Sequence, residues 1–133
     1  MAGTPNFFGT PKLTLNPLGN TPQLTVYASP GTASLTIYTG GANGSKIERI
    51  RANQQASTWP QLGPIAYGLF VLYLGGAPYE ELPFGFKHIA DFKFDGHQYE
   101  ELYLPSGQTL AIACALSVAG APNIWIETFA LDA

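Results

Sequence analysis

The sequence predicts an all-β, single-domain, jelly-roll-like antiparallel β-sandwich of about eight strands, preceded by an extended Pro-rich N-terminal arm. Three observations carry that expectation. Apolar residues recur with a period of two, which suits a half-buried strand and not a helix. Glycine (15) and proline (11) punctuate these runs at short intervals, the spacing of a sandwich or barrel. A chain of 133 residues has room for one core, and a hydrophobic content of 46% is enough to fill it.

Residues 1–22 form the arm. Gly3-Thr-Pro5, Gly9-Thr-Pro11 and Asn20-Thr-Pro22 nearly repeat, with Pro17 between them. Prolines fix φ and remove N–H donors, so the segment reads as extended, with at most short edge pairing near Lys12 to Leu15. The adjacent rings of Phe7 and Phe8, beside Gly9, suit an anchor in a groove of a partner. A ring left in water forgoes roughly 1.5–3 kcal/mol of burial.

Residues 23–133 form the sandwich domain. Leu24-Thr-Val-Tyr27 alternates and stops at Ser29-Pro-Gly31. In the next strand Leu35 and Ile37 share one face, and Ser34, Thr36 and Tyr38 the other. Gly40-Gly-Ala-Asn-Gly44 is a loop with positions able to take positive φ. Lys46 to Ala52 reads as a strand in which Ile47 and Ile50 fall out of period, and a β-bulge between them restores the facing. Residues 53–67 are a connection, and Gly68 to Leu74 is a central strand buried on both faces. Residues 75–87 read as a Gly/Pro loop, Ile89 to Phe94 and Gln98 to Leu104 as strands, and Pro105-Ser-Gly107 as a turn. Leu110, Ile112, Cys114, Leu116 and Val118 then share a core face, with small residues from Ala111 to Ala119 behind them. That small face lets another surface approach closely. A last strand covers Ile124 to Leu131.

Charge is scarce. Asp, Glu, Lys and Arg make up 11% of the chain, against roughly 25% in an ordinary domain. Either such a surface is dressed in Ser, Thr, Asn, Gln and Gly, or much of it is covered by neighbours, in an oligomer or on a scaffold; the second is the expectation. The net charge of −3 argues against nucleic acid, which demands clustered Lys and Arg. Lys46, Arg49 and Arg51, with Glu48 among them, read as the solvated edge of a strand. Cys114 reads as a buried, inert thiol. The N-terminus lacks the basic and apolar regions of a secretory signal, and Leu110 to Ala121 is too short for a membrane span. The expectation is assembly in a cytoplasm, away from membranes.

No catalytic site, cofactor site or metal site is expected. His88, Asp91, Asp95 and His97 lie close in sequence, but Lys93 shares the face of the two aspartates and discourages a divalent ion. Glu80-Glu81 and Glu100-Glu101 each send adjacent carboxylates to opposite faces, so each pair supplies one inward candidate at most for the two carboxyls a glycosidase needs. No nucleophile elbow or phosphate loop is present. Trp125, in a regular strand, reads as core or sheet packing. Trp59, followed by Pro60 in a long loop, is the better contact for a ligand or an interface.

Tyr38-Thr-Gly-Gly-Ala-Asn-Gly-Ser-Lys-Ile-Glu-Arg-Ile-Arg51 and Leu104-Pro-Ser-Gly-Gln-Thr-Leu110, with the buried Leu69 to Leu74 strand, resemble small β-sandwich virion proteins of tailed bacteriophages. The resemblance covers roughly residues 33–131. It implies a capsid decoration (cement) protein that binds across neighbouring subunits of a major capsid protein. It also implies self-association, with a trimer favoured, localisation to the virion, and no catalytic residues. The alternative from another class is a carbohydrate-binding module, or a tail- or fibre-associated adhesion protein, using loop aromatics.

Overall fold

The computed structural model describes residues 9–17, 34–55, 68–83, 89–116 and 123–133, with the backbone alone given at 17, 54, 55, 68, 115, 116 and 123. These residues form nine strands: β1 (Thr10–Pro17), β2 (Ser34–Thr39), β3 (Ser45–Gln55), β4 (Gly68–Leu74), β5 (Ala77–Pro83), β6 (Ile89–Lys93), β7 (Leu102–Leu104), β8 (Thr109–Leu116) and β9 (Asn123–Asp132). No helix occurs among them. The expected strand over Leu24 to Tyr27 lies outside the described residues.

Two antiparallel sheets result. Sheet A runs β1-β9-β3-β6, with β7 also on β3, and sheet B runs β2-β8-β4-β5. The pairs nest: first strand with last, second with last but one, β3 with β6, and β4 with β5. A long hairpin rolled into two layers gives this order, which is the jelly roll. Its core lies between the sheets. Ile47, Ile50 and Ile126 from sheet A meet Phe70, Leu72 and Ile112 from sheet B, all fully buried. Phe70 and Phe92 pack edge to face across the gap, their centroids 6.1 Å apart.

The register explains several local departures from simple alternation. On β3, Ile47 lies opposite Ala130 and Arg49 opposite Phe129, so Glu48 is the extra residue of a bulge. Ile47 and Ile50 therefore both face the core, as their spacing predicted. Phe94 N–H donates to Glu48 O at 2.9 Å, continuing the ladder beyond β6. A second irregularity, between Thr36 and Tyr38 on β2, corrects the expected facing there. Ile37 and Tyr38 are both buried, because the bulge turns the tyrosine inward.

Two further expectations are corrected. Residues 77–83 are an edge strand and not loop. Gly75 (φ 56°) and Gly76 (φ 87°) make a two-residue hairpin turn of the kind that needs positive φ at both positions. Pro78 and Pro83 are tolerated because β5 borders sheet B on one side only. The strand expected from Gln98 shrinks to Leu102–Leu104. Asp95 Oδ1 accepts from the N–H groups of His97 (2.8 Å) and Gln98 (3.0 Å), while Gln98 Oε1 accepts from Lys93 N–H at 2.9 Å. Side chains there take over the donors that a ladder would have used.

β4 is buried on both faces. Phe70 and Leu72 enter the inter-sheet core, and Val71 and Tyr73 form a second cluster with Ala113 on the other side. Ala113 is fully buried within the single chain, so the face of small residues on β8 is already covered there. Burial pushes the Cys114 thiol up to about 12, consistent with an inert core residue.

Candidate functional site

The outer face of sheet A is assembled from four long-range pairings. Strand alternation sends Trp125, Glu127, Phe129 and Leu131 of β9 outward, between the buried Ile124, Ile126, Thr128 and Ala130. Register then sets rows across the sheet. One row is Leu13, Phe129, Arg49 and Lys93, and the next is Leu15, Glu127, Arg51 and Asp91. Trp125, Asn53 and Ile89 make a third. Leu131, Lys46 and Tyr103 make a fourth. Among the described residues, every exposed large apolar side chain except Tyr79 lies here: Leu13 (62%), Leu15 (56%), Ile89, Tyr103 and Trp125. Exposed apolar groups scattered singly are ordinary, whereas a shared face is the signature of an interaction surface.

Cations are woven through this face. The Arg49 guanidinium carbon lies 4.3 Å from the Phe129 ring centroid, and that of Arg51 5.5 Å. Arg49 Nε is 3.4 Å from Asp91 Oδ1, and Arg51 Nη1 is 3.4 Å from Glu127 Oε2. Lys46 Nζ stands 3.9 Å from Glu101 Oε1 and 5.9 Å from the Tyr103 ring centroid. The Tyr103 hydroxyl donates to Glu101 Oε2 at 2.6 Å. A surface depression of about 370 Å³ opens between Glu48, Arg49, Lys93, Asp95 and Phe129. Lys46, Arg49 and Arg51 thus sit on an inner strand of the sheet, where they line its solvent face among aromatic rings.

The other sequence candidates divide. Phe7, Phe8, Trp59 and His88 lie outside the described residues. Asp91 is engaged by Arg49, and the Asp95 carboxylate caps its own turn, whose two N–H donors hold its pKa below the usual range. Among the described residues no three His, Cys, Asp or Glu side chains gather. Glu100 and Glu80 come near Tyr79, whose pKa rises through burial and then through these two charges. Glu101 is drawn away to Lys46 and Tyr103. Of the core or sheet packing expected for Trp125, the core half is corrected: the residue is 38% exposed on the outer face of sheet A.

Sequence reasoning did not find Leu13, Leu15, Ile89, Phe129 or Leu131 as surface contacts. The signal present was parity: on β9 the large residues at odd positions alternate with buried ones at even positions, which marks a strand with apolar side chains on both faces.

Fold and surface together define a jelly-roll sandwich with an exposed apolar–cationic sheet face. No family model matches the chain, and no curated protein matches it. Among solved structures it is similar to dimeric latent PorU from Porphyromonas gingivalis, at 13% identity and a TM-score of 0.37. That likeness covers 98% of this chain and 13% of the PorU chain, so this chain spans about an eighth of that protein's length. It is too distant to bear on function.

Proposed function

We propose that this chain is a non-enzymatic structural protein of a bacteriophage virion, a decoration (cement) protein that docks on neighbouring capsid subunits through the outer face of sheet A. The observation that carries the reading is the gathering of Leu13, Leu15, Ile89, Tyr103 and Trp125 on one sheet face. The sequence resemblance to small virion sandwiches supplies the kind of partner. Jelly rolls serve capsids, but also lectins and cupins, so the topology alone favours no single role. Phe7 and Phe8 continue the segment that holds Leu13 and Leu15, and in this reading they extend its grip on the shell. Trp59 is a further contact.

Co-sedimentation with shells assembled without this chain tests the reading. Leu13→Asp with Leu15→Asp, and Trp125→Ala, should each weaken binding at least about tenfold, since buried apolar anchors dominate interfaces. Tyr79→Ala should not. Wild-type protein that fails to bind shells sinks the proposal.

A second reading is favoured by the exposed Trp125 ring beside Asn53, an arrangement on which a sugar could stack. Glycan-array binding lost in Trp125→Ala, with no affinity for shells, would select a carbohydrate-binding module instead.

A further inference from the structure

We propose that β1 is an exchangeable strand: in the assembled protein, Thr10–Pro17 of one copy pairs with β9 of a second copy. The inference rests on the assembly reading above and names the occupant of one contact, a second copy of this chain.

The first observation is that β1 is amphipathic in the wrong sense for an edge strand of its own sandwich. Its inward positions are Thr10, Lys12, Thr14 and Asn16, while Leu13 and Leu15 point to solvent. Thr14 and Asn16 are half-buried, and the other described side chains of β1 are exposed. An edge strand held by its core would show the opposite pattern. The strand is held instead by its ladder to β9, by Gly9 N–H donating to Asp132 O at 3.2 Å, and by the Thr14 hydroxyl donating to Ile37 O at 2.9 Å. An identical strand from a neighbour supplies each of these bonds equally, so exchange sacrifices no contact.

The second observation is a defect beneath the strand. Asn16 Oδ1 is buried without a hydrogen-bond partner, which weakens the attachment of β1. Asn16 is followed by Pro17, and a residue before proline is held extended. Pairing within one copy requires residues 18–33 to lead back to β2, and exchange relaxes that closure. Copies held side by side on a shell meet at high effective concentration, which offsets the entropy of association.

The same register provides the test. Leu15 lies opposite Glu127, so a disulfide between these positions reports which copy holds the strand. A Leu15→Cys chain is co-refolded with a mass-tagged Glu127→Cys chain and oxidised. Non-reducing electrophoresis and mass spectrometry then read the products. The expected result is a covalent heterodimer as the main species, absent when either variant is refolded with wild type. No heterodimer, or a chain that stays monomeric at every concentration, overturns the exchange. If Leu15→Cys/Glu127→Cys, closed within single copies by oxidation, binds shells as tightly as the same variant reduced, exchange fails while the docking reading stands.

Discussion

The Tyr38 hydroxyl donates a 2.6 Å hydrogen bond to Asp132 Oδ1, tying β2 of sheet B to β9 of sheet A. The Ser45 hydroxyl donates to the same oxygen at 2.6 Å, and Gly41 N–H donates to Ser45 Oγ at 2.8 Å. This latch closes one end of the sandwich. Its two bonds, Ser45 first, hold the Asp132 carboxyl below the usual range, and burial followed by the Asp132 bond pushes Tyr38 up to about 12.

Both shifts make stability depend on pH. The Asp132 contribution is fully present above the unfolded carboxylate value of about 4 and is lost as pH falls through the lower folded value. The Tyr38 contribution is present below about 10 and is lost as pH rises through about 12. Tyr38→Phe should destabilise by about 1–2 kcal/mol near neutral pH, by loss of a hydrogen bond to a charged group. It should also flatten the alkaline fall in melting temperature. Melting profiles of wild type and Tyr38→Phe that run parallel through the alkaline range would show that Tyr38 is not the titrating group.

Gly40 lies in the same end of the fold. A Cβ there would stand 2.0 Å from the backbone oxygen of Pro105, which cannot move as a side-chain end could. Gly40 N–H donates to Gln108 O, and Gly107 N–H to Gly40 O, so both segments are pinned. Gly40→Ala should therefore cost about 2–3 kcal/mol in chemical denaturation, at the upper end of overpacking. Gly9→Ala, where a Cβ meets nothing within 4 Å, should be neutral.

Much of the fold could be read from sequence because local rules and the core agree. The two isoleucines of β3 required a bulge, and the long apolar run of β4 required burial on both faces. β5 escaped because its prolines argue for loop unless the strand is known to be an edge, which only pairing reveals. Residues 98–101 alternate like a strand, yet Asp95 and Gln98 side chains take the backbone donors. The candidate face was hidden for a related reason. Leu13 meets Phe129 across more than a hundred residues of sequence, and no local pattern encodes that register.

Thr128 sits on the core face of β9, fully buried, and its hydroxyl oxygen has no hydrogen-bond partner. A buried hydroxyl without a partner carries a desolvation penalty of about 1–3 kcal/mol. Valine has nearly the same shape and keeps the β-branch that suits a strand. Thr128→Val should leave the protein as stable as wild type or raise stability by about 1 kcal/mol. Loss of stability in a urea melt would reveal a partner for the hydroxyl in solution.

Leu13 and Leu15 should matter to association and hardly at all to folding. Their side chains stand in solvent, so replacing both with threonine removes no core contact, and threonine retains strand propensity. Exposed substitutions of this kind stay within about 0.5 kcal/mol each. The melting temperature of Leu13→Thr/Leu15→Thr should thus move by no more than a few degrees for a domain of this size. In co-sedimentation the same variant should bind shells more weakly, because the apolar rows beside Phe129 and Glu127 lose their outer members. A large fall in melting temperature with shell binding unchanged would mean that the leucines hold β1 to its own sandwich, and that the outer face of sheet A is not the docking face.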